Sequence, residues 1–129
     1  EASGKIGQIE DIVEQAPEGF EVLSGDDAIT FELLTIGAVG VISVVGNAYP
    51  KAFGNMIHSA LAGDYNKALT IHRQMSSIYK LLSADGNPAG IKSLLGIQHK
   101  ALNKLRLPLV PARDVTYQAI EKFVNEFNA

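Results

Sequence analysis

The chain has 129 residues, of which 47% are hydrophobic and 19% charged, and 11 Lys+Arg against 14 Asp+Glu give a net charge of -3. This composition predicts a folded domain with a real core. The charges form no basic stripe, which disfavours nucleic-acid binding, and no apolar run reaches the roughly 18 residues that span a bilayer. The absence of cysteine excludes disulfides, thiolate nucleophiles and cysteine-held metal sites.

The first third of the chain predicts a helix followed by a strand, a loop, a helix and a second strand. Apolar spacing predicts the first helix over residues 7–15. The apolar runs 20–24 and 39–45 predict the two strands, with a short helix between them that stops at Gly37. Both runs are too apolar for one face of the strand to be exposed to solvent, which favours a parallel sheet covered on both sides.

The rest of the chain predicts helices. One begins at Pro50, and others cover residues 65–83 and 89–102, while Asp114 marks the start of the last. Two parallel strands alone would leave open edges and little surface for six helices to cover. The sequence therefore predicts part of a larger α/β sheet, followed by a helical extension.

Polar residues that could carry chemistry cluster after the first strand. Asp26 and Asp27 follow its C-terminal end, where ligand sites lie in α/β folds. Helix capping explains either carboxylate without a ligand, and substrate contact is the alternative. Gly25 and the main chain at the end of the second strand are further candidates, because glycine and strand ends let a ligand reach backbone groups.

The histidines and lysines offer no site of their own. His58, His72 and His99 lack the spacing of a helical metal site, and His72 lies on a packing stripe of the long helix, which favours a core or interface role. A Schiff-base lysine needs a desolvated position at a strand end. All eight lysines of the chain fall on predicted helices or turns.

Four segments resemble the dihydrodipicolinate synthase family, a pyruvate-dependent class I aldolase type of enzyme. They are Glu-Ala-Ser-Gly at residues 1–4, Leu-Ser-Gly-Asp-Asp-Ala at 23–28, Gly-Val-Ile-Ser-Val at 40–44, and Leu-Arg-Leu-Pro-Leu at 105–109. The resemblance implies the α/β fold of the C-terminal part of a (β/α)8 TIM barrel, from the end of strand six to helix eight, plus a C-terminal three-helix extension. It divides the chain into a barrel portion, 1–63, and a helical region, 64–129.

The resemblance also implies an activity. The family is a Schiff-base lyase that condenses pyruvate with aspartate-semialdehyde to 4-hydroxy-tetrahydrodipicolinate, in the diaminopimelate pathway of lysine biosynthesis. It implies no cofactor or metal, no nucleic-acid or membrane partner, a homo-oligomer (dimer or tetramer), and a cytoplasmic location.

The resemblance assigns site residues as well. The Schiff-base lysine is expected immediately before Glu1, so the 129-residue chain alone is expected to be inactive. The main-chain carbonyl of Ile42 contacts the pyruvate-derived group, and Gly25 and Asp26 lie where the second substrate approaches. Ile6 and Ile36 match a weak tetramer contact, or simply pack helices.

Two alternatives stay open at the level of sequence. One is another pyruvate aldolase of the same superfamily, such as an N-acetylneuraminate lyase-like or keto-sugar-acid aldolase. The other is a non-catalytic half-barrel that binds a small acid or assembles with a partner.

Overall fold

The computed structural model describes residues 1–127, so the last two positions of the predicted region 64–129 lie outside the described residues. The order of elements confirms the predicted helix, strand, helix, strand and helices. The elements are α1 (Ile6–Gln15), β1 (Leu23–Ser24), α2 (Thr30–Thr35), β2 (Gly40–Val41), α3 (Pro50–Leu61), α4 (Tyr65–Ser83), α5 (Ala89–Ile97) and α6 (Asp114–Phe127). Short 3-10 turns over Asp27–Ile29 and Val45–Asn47 precede α2 and α3.

The strands pair in parallel, but they are shorter than predicted. Leu23 lies beside Gly40 and Ser24 beside Val41, and the Ile42 nitrogen donates to the Ser24 carbonyl at 2.8 Å. Regular pairing thus covers two residues of each predicted strand.

The shortening has a local cause at each strand. The Phe20 nitrogen donates to the Pro17 carbonyl at 2.9 Å, so the first run begins in a turn. Val44 has φ −83° and ψ −53°, which are helical angles, so the second apolar run ends in a turn. Apolar composition alone did not reveal either turn.

The N-terminal residue adds a third parallel segment to this sheet. The Glu1 nitrogen donates to the Leu23 carbonyl at 2.8 Å, and the Gly25 nitrogen donates to the Glu1 carbonyl at 2.6 Å. This alternation is the bonding pattern of parallel strands, with Glu1 opposite Ser24. β1 is therefore the middle segment, with Glu1 on one side and β2 on the other.

The two faces of this sheet differ in burial. Ser24 is buried on the face that packs under the helices. On the opposite face Leu23 is 38% exposed and Ile42 is 71% exposed. Both faces were predicted to be buried, but only the Ser24 face is. No helix or strand among the described residues covers the face of Leu23 and Ile42.

The helices enclose one large core and one small core. The large core joins the two predicted regions, since Phe53 of α3 packs in the same cluster as Met75 and Ile78 of α4 and Ile120 of α6. The small core lies between α1, α2 and the strands. Its buried members are Ile9, Val22, Leu33 and Ala38. The division of the chain after residue 63 stays a prediction.

Helix α5 ends earlier than its apolar pattern predicts. The predicted end near residue 102 is wrong, because α5 stops at Ile97. His99 takes a φ of +57°, a left-handed angle that breaks a helix. The nitrogens of Lys100 and Ala101 then turn back to the Leu95 carbonyl at 2.9 and 3.3 Å.

Two helical glycines should respond in opposite ways to alanine. A Cβ on Gly90 would lie 2.6 Å from the Cα of Leu82, whereas a Cβ on Gly54 would meet nothing within 4 Å. We expect Gly90→Ala to lower the free energy of unfolding by about 1–3 kcal/mol through overpacking. Gly54→Ala should raise it by about 0.4–1 kcal/mol. Urea unfolding of both variants tests the pair, and equal stabilities would contradict the packing of α4 on α5.

Acid should weaken the contact between the α4–α5 turn and α6. Asp85 accepts from the Arg113 nitrogen at 2.9 Å and from Arg113 Nε at 2.7 Å. Hydrogen bonds from Thr116 and then from Arg113 lower the pKa of Asp85 below its usual 3.8. Because the pKa is lower in the folded state, the ionised carboxylate stabilises the fold at every pH above the unfolded-state pKa. This stabilisation is lost as the pH falls through the folded-state pKa.

We therefore expect Asp85→Asn to have a lower Tm than the wild type at neutral pH. The two melting temperatures should converge as pH falls from about 3.8 to below the lowered pKa of the folded state, where the wild-type carboxyl is protonated too. Thermal melts across that range measure the difference. A gap that stays constant with pH would show that the ionised carboxylate is not the stabilising group.

Candidate functional site

A cavity of about 330 Å³ opens at the carboxyl end of β1. Ligand sites of parallel α/β folds lie at this end of the strands. Its lining residues are Ala2, Gly25, Asp26, Asp27, Ala28, Val44, Tyr79, Lys80, Leu82, Ser83 and Asn87. Two predicted site residues, Gly25 and Asp26, thus line one cavity. The third, Ile42, lies outside this lining, on the exposed face of the sheet.

Gly25 lets the N-terminal segment approach the loop closely. A Cβ at this position would lie 2.8 Å from the Cβ of Ala2 and 3.1 Å from the Glu1 carbonyl oxygen. The Gly25 nitrogen also donates to that same carbonyl. The glycine is therefore required by the backbone approach of Glu1 and Ala2, and it keeps one wall of the cavity free of side chain.

Asp26 caps the 3-10 turn Asp27–Ile29 that leads into α2, where the sequence predicts a helix cap. Its Oδ1 accepts from the Ala28 nitrogen at 2.9 Å. The buried hydroxyls of Ser24 and Thr30 donate to its main-chain carbonyl at 3.1 and 2.7 Å. The loop is thus held from beneath by two hydroxyls and capped by its own carboxylate. Contact of Asp26 with a substrate stays a prediction.

Asp27 has a different role from its neighbour. Its Oδ2 accepts from the nitrogens of Val44 and Val45 at 3.1 and 2.7 Å. These donors lie at the start of the 3-10 turn that follows β2, so one carboxylate ties the loop after β1 to the loop after β2. The sequence predicts a local cap or a substrate contact for Asp27, and does not reveal this connection between the two loops. The available signal was that two adjacent carboxylates cannot cap one helix equally well.

Tyr79 of α4 also lines this cavity, although the sequence predicts only a packing role for it on the apolar stripe of the long helix. Its ring packs against Phe53 and His72, with centroid distances of 6.0 and 5.7 Å, as the packing stripe predicts. Within residues 1–127 its buried hydroxyl has no hydrogen-bond partner. Burial raises the pKa of Tyr79 well above its usual value, and the carboxylates of Asp27 and Glu32 raise it further. The phenol therefore remains a proton donor near the cavity.

A larger cavity of about 580 Å³ lies at the start of α3. It contains none of the predicted site residues. Its lining residues are Ala48, Tyr49, Pro50, Lys51, Ala52, Ile97, Gln98, Lys100 and Val124. The Lys100 ammonium there donates to the Ala48 carbonyl at 2.7 Å and so joins the turn after α5 to the segment before α3. The smaller cavity is the better candidate site because it lies at the loop after β1.

Two features are absent from the residues that the structure describes. Among residues 1–127, no three or more His, Asp and Glu side chains come together as ligands for a metal ion. Within the same residues, no helix combines the length and the apolar character needed to cross a membrane.

Comparison with known proteins gives a consistent result. The sequence model of the dihydrodipicolinate synthetase family matches residues 1–127. A 4-hydroxy-tetrahydrodipicolinate synthase of Parabacteroides distasonis is 54% identical over 99% of this chain and 43% of its own length. The chain thus spans less than half the length of this curated relative.

Solved structures agree in fold. A dihydrodipicolinate synthase from Thermotoga maritima superposes with a TM-score of 0.94 at 36% identity, covering 99% of this chain and 44% of the other. One from Acinetobacter baumannii, solved in complex with pyruvate, has a TM-score of 0.93 at 27% identity, with 98% and 44% coverage. The chain belongs to the dihydrodipicolinate synthetase family and has the fold of the C-terminal part of its (β/α)8 barrel with the helical extension.

Proposed function

We propose that the whole protein containing this chain condenses pyruvate with aspartate-semialdehyde to 4-hydroxy-tetrahydrodipicolinate, the lyase step of lysine biosynthesis. The observation that carries the proposal is the match over nearly the whole chain, at 54% identity, to a synthase of that name. The cavity at the carboxyl end of β1 supports it, since Gly25 and Asp26 lie there together. The proposal includes a cytoplasmic homo-oligomer, a dimer or tetramer.

The proposed chemistry proceeds through a lysine imine. The amine attacks the ketone carbon of pyruvate, and loss of water gives the imine. Removal of a proton from the methyl carbon gives an enamine, whose carbon attacks the aldehyde. The amino group of the second substrate then displaces the lysine, which closes the ring and frees the enzyme.

The hydrogen-bond register indicates which face of the sheet a lysine immediately before Glu1 would occupy. Glu1 lies opposite Ser24, so the preceding residue would lie opposite Leu23. Successive side chains of a strand point to opposite faces. A lysine at that position would therefore share the face of Leu23 and Ile42, the exposed face of this chain. This is the face on which the proposed pyruvate contact, the Ile42 carbonyl, would have to be reached.

The chain's own residues would then have separate tasks. The Ile42 main-chain carbonyl would contact the pyruvate-derived group. Gly25 and Asp26 would border the path of the second substrate, with the Asp26 loop already fixed by its cap. A preorganised loop needs no ordering when substrate binds, which lowers the cost of binding.

Borohydride reduction in the presence of pyruvate should label the whole protein covalently. We expect the reduced pyruvyl group on the lysine directly before Glu1, because that amine forms the imine. Peptide mass mapping locates the label. The controls are the reaction without pyruvate and the whole protein with that lysine replaced by arginine; neither should be labelled.

Two results would contradict this assignment. Labelling of one of the eight lysines within residues 1–127, or of the 129-residue chain by itself, would place the imine elsewhere. Consumption of N-acetylmannosamine or a sugar aldehyde in preference to aspartate-semialdehyde would keep the imine but favour the other aldolases of the superfamily.

A further inference from the structure

We propose that Asp27 is a positioning residue for the keto acid: its carboxylate holds the main chain after β2 so that the Ile42 carbonyl keeps the orientation that the pyruvate-derived group requires. This inference rests on the proposed function, because Ile42 is its proposed pyruvate contact. Asp27 itself needs no contact with substrate. It acts through the backbone of residues 42–45.

The main chain at Ile42 is held at two points. On one side the Ile42 nitrogen donates to the Ser24 carbonyl at 2.8 Å. On the other side, two residues later, the nitrogens of Val44 and Val45 donate to Asp27 Oδ2 at 3.1 and 2.7 Å. The Ile42 carbonyl lies between these two attachments, so its peptide plane cannot rotate freely while both remain.

Asp27 is the attachment that fixes this turn to the rest of the site. Within residues 1–127, the other side-chain hydrogen bonds of residues 43–47 are internal: the Gly46 nitrogen donates to Ser43 Oγ at 2.8 Å, and Asn47 Nδ2 donates to the carbonyls of Ser43 and Val44 at 3.4 and 3.0 Å. Those bonds fix the conformation of the turn but do not connect it to the loop after β1. Asp27 comes from the loop after β1, 17 and 18 residues before its two partners.

The chemistry of the contact suits a fixed support. A carboxylate that accepts two backbone N–H groups makes charge-assisted hydrogen bonds, roughly twice as strong as neutral ones. Its second oxygen, Oδ1, is buried and has no hydrogen-bond partner within residues 1–127. The side chain also lines the same cavity as Gly25 and Tyr79. The carboxylate is therefore part of the cavity wall, with one oxygen bound to the backbone after β2 and the other buried.

The test uses the whole protein that contains this chain, with the variants Asp27→Ala and Asp27→Asn. The matched control is Asp64→Ala, which removes a carboxylate cap at the start of α4, where Asp64 Oδ1 accepts from the Lys67 nitrogen at 3.1 Å. All three variants remove a carboxylate that accepts backbone hydrogen bonds. Only the first two lie at the site.

We expect Asp27→Ala to lower kcat/KM for pyruvate by up to about 100-fold, the effect of a misplacement near 1 Å. KM for the aldehyde should stay unchanged, because Gly25 and Asp26, where the second substrate approaches, are held by hydrogen bonds with Glu1, Ser24, Thr30 and Ala28 that do not involve the Asp27 side chain. Asp27→Asn keeps one acceptor oxygen and should lose less. Asp64→Ala should lower the melting temperature and leave both kinetic constants unchanged.

Amide hydrogen exchange gives a readout that does not depend on activity. Exchange at residues 42–46 should accelerate in both Asp27 variants and remain at the wild-type rate in Asp64→Ala. If Asp27→Ala fails to fold, Asp27→Asn decides alone. Wild-type exchange together with wild-type kcat/KM for pyruvate in a folded Asp27 variant would overturn the proposal, and so would an equal loss for both substrates.

The proposed function and this inference fail in different ways. If the wild-type protein traps no pyruvate with borohydride, the proposed function is wrong, and with it the role of Asp27 toward a keto acid. If the wild type traps pyruvate but the Asp27 variants trap it at the wild-type rate, the positioning role alone is wrong.

Discussion

The parallel hydrogen bonds that join Glu1, β1 and β2 are the constraint on which the site depends. They place three chain segments side by side with the same direction, so their carboxyl ends meet at one edge. The loop after β1 and the turn after β2 are then close enough for one side chain to connect them. Without this register Gly25 would not meet Glu1, and Asp27 would not reach Val44.

Much of the fold could be predicted because its signals are local. Helix positions follow from apolar spacing, and proline and glycine mark most of their ends, as at Pro50 and Gly37. Strand lengths could not be predicted in the same way. The valines at positions 44 and 45 are good strand formers, yet their nitrogens bind a carboxylate from another loop. A tertiary hydrogen bond overrides the local preference, and no local pattern reports it.

The candidate site shows the same difference between local features, which the sequence reveals, and tertiary contacts, which it does not. Gly25 and Asp26 were accessible to sequence analysis because the end of a parallel strand is a known place for ligands. Asp27 was a candidate for the same reason, but its link to the second loop could not be predicted because its partners lie 17 and 18 residues away. Tyr79 could not be predicted as part of the site because it is a packing residue with a polar tip. A tyrosine on an apolar stripe is the signal that could have been used, because a buried phenol needs a partner.

The apolar character of both strands bears on the site as well as on the fold. One face is covered by the helices, and the other leaves Ile42 71% exposed. Apolar surface of this kind gains free energy when it is covered, and in a closed barrel the inward face of each strand is packed. The proposed imine and the Ile42 carbonyl would lie at the carboxyl end of that same face. Closing the barrel would therefore complete the core and bring the reacting groups together in one step, so the stability of the whole protein and its proposed activity depend on the same surface.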